Sequence, residues 1–442
     1  MRLTTGIRTA AVVAATALLA AGCSGGDGTG DGGTGGAASG EAVELTFWTW
    51  APGMEQVVEQ WNAENPDIQV TVNKQDGGDP AVTKLLTAIK AGSGAPDLMQ
   101  AEYQKIPTLV AADALADVSG ELDADIADHF PEGVWNAVTL GSDAVYGIPQ
   151  DSGPMQLYYR ADIFAELGIA VPTTWAEYAD AAAKVHAADP ATYLGTFSAT
   201  DAGWFTGLAQ QAGASWWGIE GDSWTVSIDD EATRKVADYW GGLVESGVID
   251  NKPMYTPEWN AALNDGSQVA WLSAIWAPGV LQGNAPDTAG TWAMAPMPQW
   301  DASDPATGNW GGSATAVTSQ SEHVAEATEF MTWMNTSQEA VNTLVAEGGL
   351  YPADQLAQEE ALASPPEFFA TQADFYPVAA ETAATANSFT FGPNVNVAYS
   401  AYNDEFGKAA ESRSRAAFVA AVEAMQEVTI EDLKDSGFSV QE

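Results

Sequence analysis

Tryptophan and carboxylate are the side chains best equipped for chemistry in this chain, and both are abundant. Seventeen tryptophans stand among 60 acidic residues, against 15 lysines and arginines. An indole face offers flat apolar area with a negative quadrupole, a match for the C–H face of a pyranose ring. The hydroxyls around such a ring need hydrogen-bond partners, and ionised carboxylates are the strongest acceptors. The set suits a neutral polyol. A phosphate or an amino acid would ask for basic residues, which are scarce here. Any single tryptophan is still more often core than site, so position has to separate the two uses.

Other chemistries find less support. His129, His186 and His323 lie far apart, with no metal-ligand spacing between them. No nucleophile elbow, Walker loop or dinucleotide fingerprint occurs in context. The expectation is therefore no enzyme, with no catalytic residue, no metal and no cofactor. A glycoside hydrolase needs only two carboxylates, and 60 acids supply many pairs. A surface carbohydrate-active enzyme is thus the main alternative to a receptor, and an adhesive surface protein is a third class. A net charge of −45 repels phosphates and anionic headgroups, so nucleic acid is not an expected partner.

Such side chains act together only on a framework. Val43-Glu-Leu-Thr-Phe-Trp-Thr-Trp50 reads as a strand, broken by Pro52-Gly53. Met54, Val57, Val58 and Trp61 then fall on one helix face. Asn65-Pro66 stops that helix, and Ile68, Val70 and Val72 alternate as a second strand. A further helix runs through Leu85, Leu86 and Ile89 to Gly92, and this alternation predicts βαβ units with a parallel sheet. Thr174 and Glu177 form a capping box for a helix to His186. Asp229 is placed to cap a helix carrying Val236, Tyr239, Trp240, Leu243 and Val244. Val324, Ala327, Met331 and Met334 form another helical stripe, and Ala398 to Lys434 reads as helical throughout.

The N-terminus predicts export. Arg2 and Arg8 precede the short apolar run Ala10 to Ala21, too brief to span a bilayer permanently. Ala20-Ala21-Gly22-Cys23 resembles the lipobox of bacterial lipoproteins, although Ala20 stands where that family usually has leucine. The only cysteine of the chain falls at the position lipidation needs. Residues 1–22 are expected to be a removed signal, and residues 23–41 a lipidated cysteine with a Gly-, Ser- and Thr-rich tether. The expected location is the extracytoplasmic face of the bacterial cell membrane, anchored by lipid through Cys23.

A series of phrases in fixed order carries a family resemblance. They are Leu45-Thr-Phe-Trp-Thr-Trp50, Trp61-Asn-Ala-Glu-Asn-Pro-Asp-Ile-Gln-Val70, Ala91-Gly-Ser-Gly-Ala-Pro-Asp97 and Val145-Tyr-Gly-Ile-Pro149. Then come Leu157-Tyr-Tyr-Arg-Ala-Asp-Ile-Phe164, Pro172-Thr-Thr-Trp-Ala-Glu177, Gly311-Gly-Ser313 and Gly348-Gly-Leu-Tyr-Pro352. The chain resembles the extracellular solute-binding proteins, the group that includes the maltose-binding proteins. The resemblance implies an α/β, two-lobed periplasmic-binding-protein-like fold, with hinge strands joining the lobes and the ligand cleft between them. It implies a first lobe from residues 42–153 plus 311–385, and a second from 154–310 plus 386–442. It implies capture of a carbohydrate, an oligosaccharide by the number of stacking candidates, for delivery to ABC transporter permease subunits. A monomer is expected, and a non-sugar solute is the alternative ligand.

Ligands of open α/β sheets sit beyond the carboxyl ends of strands. On that rule the candidates are Trp50, at the end of the first strand, and Glu102 and Tyr103, after the strand Asp97 to Gln100. Asp151 lies near the predicted hinge and resembles the family's cleft residues. Trp204, Trp216 and Trp217 fall in glycine-rich stretches read as loops. Trp276 follows the apolar run from Val269 to Ile275, and Trp310 precedes Gly311 and Gly312, where bare backbone can approach a ligand. Trp48, Trp61, Trp240 and Trp333 are expected in the core. Tyr158-Tyr159 matches the paired tyrosines of iron-binding transport proteins, but no histidine lies nearby and packing is the expected role.

Overall fold

In a computed structural model, residues 42–221 and 223–441 are described. The expected signal, lipidation at Cys23 and tether all fall outside the described residues. The chain opens with β1 (Val43–Thr49), α1 (Met54–Glu64), β2 (Ile68–Lys74), α2 (Asp79–Ala91) and β3 (Leu98–Glu102). β1 pairs in parallel with both β2 and β3, as the alternation predicts. Met54, Val57, Val58 and Trp61 form the buried face of α1, and the Trp61 ring meets Phe330 edge-on at 5.4 Å. β3 runs to Glu102, two residues beyond the predicted end at Gln100.

Two strands carry the sheet from one half of the molecule to the other. β4 (Ile148–Arg160) begins paired with β9 (Asn309–Val317) and ends paired with β7 (Ala270–Ala274) and β8 (Trp292–Pro296). β9 returns antiparallel to β4 and closes on β3, so the order is β2-β1-β3-β9-β4-β7. A separate hairpin joins β5 (Trp217–Glu220) and β6 (Ser223–Val226). The first half buries two apolar clusters on opposite elements, one around Phe47, Trp61 and Phe330, the other around Leu85, Met99 and Leu109. The second half buries one large cluster around Tyr158, Trp204, Trp240 and Phe406. Phe368, Phe369, Phe375 and Ala379 belong to that second cluster. The expected division, which kept the chain in the first lobe to residue 385, therefore places them on the wrong side: Phe369 packs on Tyr158 at 5.8 Å.

Local chemistry accounts for the other differences. The capping box at Thr174 forms, and its helix runs Trp175–Ala188. The cap of the helix Glu231–Ser246 is Asp230, not Asp229; Asp229 instead pairs with Arg234. The C-terminal segment is two helices, Val395–Ser412 and Arg415–Asp435, separated where Arg413 turns to a φ of +49°. That break lets them pack side by side and bury Phe406 against Phe418. Tyr158 is fully buried, its hydroxyl donating to the carbonyl of Ala274 at 3.1 Å.

The helix Ala202–Gln211 lies directly on the start of β9. A Cβ on Gly308 would stand 1.9 Å from the carbonyl oxygen of Gly207, and one on Gly207 2.4 Å from Met155 Sδ. Gly308→Ala is expected to force helix and strand apart and to cost about 3 kcal/mol, read as a several-degree fall in the thermal midpoint. An unchanged midpoint would mean that this backbone contact is not as close as described.

Candidate ligand-binding cleft

The crossing strands floor a cavity of about 420 Å³, with Tyr103, Thr206, Asn309, Gly311 and Tyr399 among its walls. A buried network fixes the floor. Gln100 Oε1 accepts from Thr49 Oγ1 at 2.7 Å and from the backbone N–H groups of Trp50 and Ala51, each at 3.2 Å. Its Nε2 donates to Ser313 Oγ at 3.0 Å. Ser313 in turn donates from Oγ and from its backbone N–H to Asp151 Oδ1, at 2.5 and 2.9 Å. The end of β1 is thus tied through β3 and β9 to Asp151 on β4. Burial pushes the Asp151 carboxyl up to about 6, although the Ser313 bonds oppose the shift.

Tyr103 donates its hydroxyl to the Asp151 carbonyl at 2.9 Å, and its ring packs over Gly312. Gly312 has a φ of +91° and a Cβ there would be 2.9 Å from the ring, so only glycine fits. Trp276 donates its indole N–H to the Trp310 carbonyl at 3.0 Å and meets that ring edge-on at 4.7 Å. Gly311 lies beneath the same indole nitrogen. Trp276 is partly exposed.

Carboxylates flank these rings. Glu102 is held above its usual range by burial, with Lys105 opposing and Asp79 adding to the shift. Asp201 caps the helix Ala202–Gln211 by accepting from Trp204 N at 3.0 Å. Desolvation pushes it up to about 6, while bonds from Trp204 N and the Trp310 side chain oppose. The Tyr399 phenol is raised by burial, with a hydrogen bond to Thr206 opposing the shift and the charges of Glu102, Asp201 and Asp79 adding to it.

Glu102, Tyr103, Asp151, Trp276, Trp310, Gly311 and Gly312 therefore come together at the crossing strands. Trp50 stands at the end of β1 with its ring over Gly77, joined to the group only through Gln100. Trp204, Trp216 and Trp217 are corrected to core residues. Each is at most 1% exposed, which leaves no indole face for a ligand. The stretch read as a loop around Trp204 is a helix, and its indole donates inward to the Leu272 carbonyl at 3.0 Å. Trp216 donates to Thr233 Oγ1 at 2.8 Å, and Trp217 is covered by Gly392.

Asp201, Tyr255 and Tyr399 were not foreseen. Asp201 followed by Trp204 carries an N-cap signal that could have marked it; Tyr399 lies within a helical stripe and offers none. Tyr255 is 43% exposed and has a φ of +65°, uncommon for a residue with a side chain. Its ring extends the aromatic row to Trp310 at 6.4 Å and Trp271 at 6.1 Å. Among the described residues no group of His, Cys, Asp and Glu could hold a metal ion, and no helix is long and apolar enough to cross a membrane.

Known proteins share this architecture. The chain is 27% identical to an arabinooligosaccharide-binding protein of Halalkalibacterium halodurans, over 68% of each chain. It is 27% identical to a lactose-binding protein of Rhizobium radiobacter, over 66% of this chain and 70% of that one. The galacto-N-biose-/lacto-N-biose I-binding protein of the ABC transporter from Bifidobacterium longum, solved with lacto-N-biose, superposes with a TM-score of 0.82 at 30% identity. That match covers 91% of this chain and 100% of the other, and the fold is the two-lobed α/β one of such proteins. The family model described as bacterial extracellular solute-binding protein matches residues 48–341, some two thirds of the sequence, and to that family the chain belongs.

Proposed function

We propose that the protein captures a carbohydrate, an oligosaccharide, outside the cytoplasmic membrane and delivers it to the permease subunits of an ABC importer. One observation carries the reading: the partly exposed Trp276 indole and the exposed Tyr255 phenol pack on the buried Trp310 ring next to Gly311 of the cavity wall, with the desolvated carboxyls of Asp151, Glu102 and Asp201 on the same crossing elements. Rings stack on sugar faces, and desolvated carboxylates accept from hydroxyls more strongly than they would in water. The cavity lies within the roughly 300–1,000 Å³ of small-ligand sites. The names of the relatives support the same class. The lobes would close on the ligand about β4 and β9. No catalytic step is assigned to the cleft. Residues 1–22 would be removed on export and Cys23 would carry the lipid anchor, with the following glycine-rich segment as tether; the mature protein would act as a monomer.

A thermal-shift screen of the purified protein against arabino-, galacto- and malto-oligosaccharides, amino acids and ferric iron tests this. A ligand at a hundred times its Kd stabilises the folded state by about 2.7 kcal/mol, so one carbohydrate series should raise the midpoint clearly. A rise with amino acid or iron alone rejects the carbohydrate. Release of reducing ends from an oligosaccharide by the pure protein rejects the receptor in favour of a hydrolase.

A further inference from the structure

The two halves also meet away from the crossing strands. Among the described residues Lys105 is the one buried cation, 3% exposed. It follows Tyr103 at the edge of the first half, where Ile106 and Leu109 join that half's core. Its ammonium bonds Asp79 Oδ1 on the same side at 2.6 Å. It also bonds Asn396 Oδ1 and lies 5.2 Å from the centre of the Tyr399 ring. Asn396 and Tyr399 are one turn apart on the helix Val395–Ser412, whose Val395, Ala398 and Tyr402 belong to the core of the second half. Next to this contact, Thr108 Oγ1 donates to the Pro393 carbonyl at 2.8 Å, again from the first half to the second.

A buried ammonium is strongly penalised unless bonded, and its bonds are stronger out of water. Asp79 alone cannot satisfy three donors, and its side chain is 62% exposed, which weakens the pair. The remaining partners come from across the cleft. We propose that Lys105 is a clasp, fastened to Asn396 and Tyr399 of the opposite half, that biases the cleft toward the closed state and slows ligand release. This goes beyond the carbohydrate reading, because it depends on how the two halves meet and not on what they enclose.

The test is therefore made without ligand. With Cys23→Ser to remove the native thiol, spin labels at Glu121→Cys and Leu167→Cys, both exposed, report the separation of the halves in the full chain. Asn396→Ala removes the cross-cleft acceptor and leaves Lys105 with Asp79; Lys105→Met keeps the stem and removes the charge. One charge-assisted bond is worth a factor of roughly ten or more. The ratio of closed to open separations should fall about tenfold in each variant. Thr108→Ala, which loses only a neutral hydroxyl contact, should shift the ratio the same way by a smaller factor, and it serves if the other variants do not fold. Unchanged distance distributions in the folded variants would overturn the clasp, whatever the ligand proves to be.

Discussion

Trp276→Ala is expected to weaken carbohydrate binding by roughly thirtyfold, corresponding to about 2 kcal/mol for a central aromatic anchor. The indole is partly exposed at the crossing strands, fixed by its N–H bond to the Trp310 carbonyl and by edge-on packing against that ring. A side chain held at both places is preorganised, so the stacking energy is not spent on ordering it. Trp276→Phe should recover most of the affinity, since it retains an aromatic face and loses only the bond to the carbonyl. Calorimetric titration with the sugar that stabilises the wild type measures both. An alanine variant that binds as the wild type does would place the ligand away from the Trp276–Trp310 pair.

The second large effect is on stability against pH. Asp201 is pushed up to about 6 from an ordinary 3.8, chiefly by desolvation. Because the folded-state value is the higher one, the folded protein binds this proton more tightly than the unfolded chain does. Stability from this group is thus lost, not gained, as the pH rises from about 4 to about 6. Asp201→Asn has no such titration and keeps a good N-cap for the helix Ala202–Gln211. The variant should therefore gain about 2 to 3 kcal/mol on the wild type between pH 4 and pH 7. Urea unfolding of both proteins at several pH values gives the difference directly. A difference that is flat with pH would mean that Asp201 is not desolvated. A ligand hydroxyl donating to the same carboxylate favours its ionised form, so affinity should rise with pH through the same window.

The opening βαβ units were legible because each shows its period cleanly: Met54, Val57, Val58 and Trp61 leave one helix face apolar and nothing else. The family phrases led to Asp151, Gly311 and Gly312 for a similar reason, since a glycine pair at a strand has few local uses. The tryptophans were not legible in that way. Trp204 and Trp276 each sit beside small residues in the sequence, yet one is 1% exposed and the other is left partly exposed. Which of the two a tryptophan becomes depends on what covers it. Trp204 is covered by Trp240 at 5.1 Å, from a helix more than thirty residues away.

By itself the sequence determined the fold class, the alternation of strands and helices, the family and the kind of side chains offered to a ligand. The alternation follows from periodicity and turn residues and the side chains on offer from composition, while the family and its two-lobed fold come from the resemblance carried by phrases in fixed order; all of these are read locally along the chain. Only the tertiary structure decided which aromatic rings stay uncovered, which carboxylates are desolvated, and that Phe368 to Ala379 pack with the second half. It also decided that Lys105 meets Asn396, 291 positions along the chain. Burial and pKa depend on neighbours brought from distant segments, and no spacing along the chain records them.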